Sequence, residues 1–192
     1  MLSFFVGNNK VSISFSFSVC ITLLALLDRT GLFFISFIAI FLHEMGHFLA
    51  LKLLRVKKIE ISFILASIKI SVNEQMNPKK SAIISIFGPL INLIFSSFVF
   101  VDCYYLKHFG AANIILFTFN MLPISNLDGG DILKYILCLK FKANGGTIFT
   151  VVSFIILSAF VAPLGVFFIY KYNNPTILLV CIYLTIMSYK KV

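Results

Sequence analysis

The chain has 192 residues, of which 60% are hydrophobic, 16% aromatic and 12% charged, with a formal net charge of +9. A soluble domain is about 45–50% apolar and about 25% charged, so this chain has too few charges to cover a water-facing surface, and it is far too apolar to be disordered. That leaves a polytopic membrane protein whose positive charge belongs on loops beside anionic lipid, with no nucleic-acid-binding pattern to set against it.

Runs free of Asp, Glu, Lys and Arg cover 11–27, 81–101, 108–127, 143–170 and 172–189, and a further run over 30–51 is broken only by Glu44. A spanning helix needs about 20 apolar residues. The runs therefore predict helices near 11–27, 31–53, 81–101, 109–125, 147–169 and 174–189. The first run lacks an A-x-A cleavage site and reads as a retained helix rather than a signal peptide. Between the second and third runs, Ile59–Phe63 and Ile68–Val72 alternate apolar with polar, which predicts two short strands turning near Ala66-Ser67. The fold expected is an all-α polytopic membrane protein of about six transmembrane helices with a short membrane-associated β-hairpin. It forms one domain over 1–192, with a catalytic core of about 31–130 and C-terminal helices over 147–189. Cys20, Cys103, Cys138 and Cys181 show no CxxC spacing and read as small buried hydrophobes.

With six spans both termini share one side. That side holds thirteen of the sixteen Lys and Arg residues, leaving Arg29, Lys107 and Lys171 opposite. The positive-inside rule then puts both termini in the cytoplasm of a multi-pass protein of the cell membrane.

The second run contains His43-Glu44-Met-Gly-His47. Residues i and i+4 share a helix face, so both imidazoles can reach one metal ion. Glu44 stands one residue on, where it can reach a water beside the metal. This is the HExxH arrangement of zinc hydrolases. Zinc lowers the pKa of a bound water to about 7, and a neighbouring carboxylate can take its proton. With three His and three Glu in the chain, chance gives this pattern in roughly one such sequence in a thousand. Ionisable groups in a membrane helix are also costly and mark function by default.

Two histidines need a further protein ligand. His108 lies at the far end of a span. Asp128 lies in Asn120-Met-Leu-Pro123-Ile-Ser-Asn-Leu-Asp128-Gly129-Gly130, at a depth similar to the histidines. Pro123 breaks the helix there and the glycines allow close backbone approach, so Asp128 is the favoured third ligand to one Zn2+. Asp131 reads as a charge at a helix N-terminus.

HExxH in a membrane helix, followed some 70 residues later by N-x-x-P-x-x-x-x-D-G, resembles the site-2 protease family of intramembrane metalloproteases. Within it, the chain is most similar to the small branch typified by the stage IV sporulation protease, which cleaves a sigma-factor precursor. The resemblance implies a zinc-dependent endopeptidase with His43, His47 and Asp128 as ligands and Glu44 as catalytic base. It implies a membrane-embedded or membrane-associated protein substrate, as in regulated intramembrane proteolysis of a sigma or anti-sigma factor. Gly88-Pro89-Leu-Ile-Asn92 resembles the family's G-P-x-x-N element, and Asn92, Asn120 and Pro123 are associated with substrate. The segment 59–72 resembles the family's β-hairpin and could capture an extended substrate by strand addition. Ending at Val192, the chain is expected to be a bare catalytic core without a CBS or PDZ domain. The competing readings are a polytopic metal transporter and an inactive protease-like binding partner.

Overall fold

The structure, a computed structural model, describes residues 2–172 apart from 8, 58, 65, 66, 73–75, 126, 158, 160 and 161. The chain divides into two compact units, Met1–Thr118 and Phe119–Val192.

The first unit opens with a hairpin of β1 (Leu2–Val6) and β2 (Asn9–Ile13). Its turn uses Gly7 at φ 62°, a left-handed conformation that favours glycine. Ser14 ends the strand and caps α1 (Phe15–Leu27), its hydroxyl accepting from the Phe17 amide at 3.1 Å. α2 (Leu32–Leu53) carries the HExxH sequence. β3 (Ile59–Ile64) and β4 (Ser67–Val72) follow, then α3 (Pro78–Ser96), a 3-10 turn over Ser97–Phe100, and α4 (Tyr104–Asn120).

The expected hairpin over 59–72 is present, but it is half of a four-stranded sheet in the order β1-β2-β3-β4. β2 lies parallel to β3, with Val11 beside Ile61 and Ile13 beside Phe63. The expected span over 11–27 therefore starts as strand, and its helix covers only Phe15–Leu27. Its first residues, Val11-Ser-Ile-Ser, alternate with period 2 and pair readily as β. The sheet stands where α1 starts, α2 ends and α3 starts. Ala50, Leu51, Ile59 and Ile84 join there in a small core.

α2 and α3 pack closely along a seam of small residues. On α2 the buried positions include Ala39, His43, Gly46 and Ala50; on α3 they include Ala82, Ser85, Gly88 and Asn92. Steps of three and four keep each set on one helix face, and small side chains let the backbones approach. A Cβ on Gly46 would stand 2.6 Å from the Phe87 carbonyl oxygen.

The second unit holds α5 (Asp128–Phe141), α6 (Gly145–Ile156) and α7 (Ala162–Tyr172). Ile124, Leu127 and Leu157 form its core cluster. Among the described residues, two helices are long and apolar enough to cross a membrane, Leu32–Leu53 and Pro78–Phe100. Phe15–Leu27 and Gly145–Ile156 are shorter apolar helices. Of the expected six spans, two are met by length and composition among the described residues. In the run over 147–169, α6 covers Gly145–Ile156 and α7 begins at Ala162, with 158, 160 and 161 outside the described residues. The expected helix over 174–189 lies outside the described residues.

Candidate metal centre

α2 places His43 and His47 one turn apart on the face that packs against α3. Their Nε2 atoms stand 3.1 Å apart. A carbonyl oxygen can only accept, so the 2.9 Å contact of His47 Nδ1 with the Ile84 carbonyl puts the hydrogen on Nδ1. The His47 Nε2 lone pair is then free of a hydrogen and faces His43. Outer contacts of this kind fix the tautomer of metal-binding histidines.

A carbonyl oxygen has two lone pairs, so that of Ile84 can accept from His47 as well as within α3. Pro89 lies inside the helix and has no N–H to give the Ser85 carbonyl. Gly88 precedes the proline, and a Cβ there would stand 2.8 Å from His43 Cε1 and overlap the His47 ring. Gly88 thus makes room for both imidazoles. The Ile84 carbonyl is a site group that sequence reading missed, because backbone oxygens leave no residue signature.

Asn92, one turn beyond Gly88, is fully buried and its side-chain amide lies 3.1 Å from His43 Nδ1. Glu44 is half-buried on α2, one residue beyond His43. His108 is held elsewhere, its Nδ1 donating to the Tyr104 carbonyl within α4 at 2.8 Å.

In the second unit Asp128 is the first residue of α5, where a negative charge meets the positive end of the helix dipole. Gly129 and Gly130 follow. A Cβ on Gly129 would overlap the Met121 carbonyl, and one on Gly130 the Ile124 carbonyl. The two glycines let the first turn of α5 lie on the segment around Pro123. That segment is anchored by fully buried Ile124 and by a Ser153 hydroxyl that donates to the Pro123 carbonyl at 3.3 Å. Asn120 is the half-buried last residue of α4. Asp131 is exposed in the first turn of α5, as expected of a charge at a helix N-terminus.

His43, His47 and Asp128 each offer one ligand atom, and the three atoms lie within 4.8 Å of one another. Two ligands about 2.0–2.1 Å from a tetrahedral zinc stand about 3.3 Å apart, close to the separation of the two imidazole nitrogens. Two neutral imidazoles and one carboxylate are a donor set that zinc accepts with a position to spare. The residues fit the metal.

No protein-family model and no curated protein matches the sequence. Among solved structures, the fold is similar to the site-2 protease from Methanocaldococcus jannaschii. The TM-score is 0.65 at 20% identity, covering 98% of this chain and 94% of that one.

Proposed function

We propose that the chain is a zinc-dependent intramembrane endopeptidase of the site-2 protease kind. The observation that carries this reading is the meeting of the two HExxH histidines with Asp128, on a fold similar to that of a solved site-2 protease.

His43, His47 and Asp128 would hold one zinc ion, which supplies a Lewis acid and an acidified water to peptide hydrolysis. The chain's own groups do the rest. Glu44 takes the proton of the attacking water on its carboxylate and returns it to the leaving nitrogen. Asp128, fixed by the glycine-supported start of α5, brings negative charge to the cation. The α2–α3 seam keeps bulk water from the imidazoles, so their orientation is set by protein contacts.

A helical substrate hides its peptide bonds and must be opened before attack. β3 is paired on both sides, by β2 and by β4. The edge of the hairpin that could accept an extended substrate is therefore β4, which also touches α2. The exposed faces of α1, α2 and α3 are strongly apolar, including Leu23, Leu26, Phe34, Ile38, Leu93 and Ile94, which supports a lipid surround. Lys10, Lys52, Arg55, Lys57, Lys69, Lys79 and Lys80 all lie in the sheet or in the helix ends and connections beside it, whereas Arg29 lies in the α1–α2 connection. That segregation supports a multi-pass protein with the sheet and the mouth of the site on the cytoplasmic side. A sigma or anti-sigma factor is the substrate class suggested by the sporulation branch.

The test is metal analysis of the purified full chain alongside a cleavage assay on single-span membrane substrates. One zinc per chain with cleavage is expected, and Asp128→Asn should bind zinc more weakly. Zinc flux across vesicles without cleavage would favour a transporter instead.

A further inference from the structure

Asn92 is invisible to solvent, and its amide meets His43 on the side of the ring away from His47. An amide can offer that ring nitrogen either Nδ2, as a donor, or Oδ1, as an acceptor, and a half turn about its last bond exchanges them. The two orientations have different consequences for His43. If Nδ2 donates to His43 Nδ1, the imidazole hydrogen sits on Nε2 and points at His47 Nε2, which already accepts. That arrangement closes the pair with a hydrogen bond and leaves no lone pair on His43 for a cation. If Oδ1 accepts from His43 Nδ1–H, both Nε2 lone pairs face one another at 3.1 Å, and a cation between them would relieve the repulsion. With Nδ2 turned to His43, the buried Oδ1 of Asn92 has no hydrogen-bond donor. The opposite orientation gives that oxygen one. That half turn also carries the Nδ2 hydrogens into the place Oδ1 leaves, so the choice between the orientations rests on what His43 must offer a metal ion.

We propose that Asn92 is a positioning residue whose Oδ1 accepts the His43 Nδ1 hydrogen and so leaves the His43 Nε2 lone pair to a metal ion. The inference rests on the metal-centre reading above. It gives α3 the same role toward both histidines. The Ile84 carbonyl sets the tautomer of His47, and Asn92 sets that of His43, two turns further along one helix. It also gives Asn92 a role other than the substrate contact that the family resemblance suggests.

The experiment measures zinc affinity of the detergent-solubilised full chain, by competition with a chromophoric chelator, for wild type, Asn92→Leu and Asn92→Asp. Removing the outer partner of a metal-binding histidine weakens the metal by about 10–100-fold. Asn92→Leu should show that loss. Asn92→Asp keeps an acceptor and loses the donor, so it should bind within about three-fold of wild type or more tightly. Equal affinity of Asn92→Leu and wild type overturns the proposal and leaves the metal centre standing. Equal losses in both variants also overturn it, because shape rather than the acceptor would then matter. Absence of zinc binding by wild type overturns the metal-centre reading, and this inference with it. A second measurement needs no variant. Nitrogen NMR of 15N-histidine-labelled, zinc-loaded protein should place the His43 hydrogen on Nδ1; a hydrogen on Nε2 contradicts the proposal.

Discussion

Gly88 packs against both imidazoles, so the side chain it lacks matters as much as the histidines themselves. A methyl group there has two rings to displace. Inserting a methyl into a packed seam costs about 1–3 kcal/mol. Gly88→Ala is expected to lower thermal stability by that order and to weaken zinc binding at the same time. Leu90→Ala, at an exposed position of the same helix, should change zinc affinity little. Unchanged zinc affinity in Gly88→Ala would show that the rings are not confined as described. At this scale the sequence was highly legible. The spacing of His43, Glu44 and His47 announced its chemistry because two ligands on one helix face need a four-residue step. Asp128 was the favoured third ligand among few carboxylates, and its ligand atom lies within 4.8 Å of those of His43 and His47. The groups behind them were not legible, because Ile84 acts through its backbone and Asn92 through the orientation of an amide.

The start of α2 shows how a loop charge organises an element. Asp28 lies outside the helices, and its carboxylate accepts from the Thr30 hydroxyl at 2.7 Å, the Thr30 amide at 2.9 Å and the Phe33 amide at 2.8 Å. These hydrogen bonds, the Thr30 hydroxyl foremost, hold the carboxyl below the ordinary carboxylate range. A lowered folded value means the stabilisation is present above the unfolded value, about 3.9, and is lost as pH falls through the folded one. Hydrogen exchange at the Thr30 and Phe33 amides, taken relative to each amide's intrinsic rate at the same pH, should therefore be slow at neutral pH and lose that protection as pH falls below about 4. In Asp28→Ala it should be fast at both. Protection that persists in Asp28→Ala would mean another group caps α2.

Elements differ in how well their sequences announced them. α2 and α3 are long, apolar and nearly uncharged, and they appear where hydropathy put them. β1 and β2 did not announce themselves. Val11-Ser-Ile-Ser carries a period-2 pattern, but it adjoins a charge-free run, and hydropathy absorbed it into a span. β3 and β4 were legible because charges at Glu60 and Lys69 interrupt the apolar residues and expose the alternation. The pairing of β2 with β3 joins residues some fifty positions apart, which no local pattern carries. Its functional consequence is that β4 is left as the hairpin's open edge beside α2.

At the scale of the whole molecule, the few charges are strongly sorted. In the first unit most described basic residues lie in or beside the sheet, and the buried seam between α2 and α3 holds histidine and asparagine among small residues. A membrane helix tolerates such polar groups when they face a partner helix and serve a site. The exposed apolar surface and the sorted charge together favour a catalytic site reached from one side of a bilayer. The central claim is proteolysis that depends on Glu44, and the direct measurement is membrane-fraction proteomics comparing cells with the wild-type chain and cells with Glu44→Gln. Removing a general base costs about 10²–10⁴-fold or more in rate, while the ligand set for zinc is left intact. At least one single-span membrane protein is expected to accumulate uncleaved in the Glu44→Gln cells and to be cut in the wild type. Identical cleavage products in both would contradict the account.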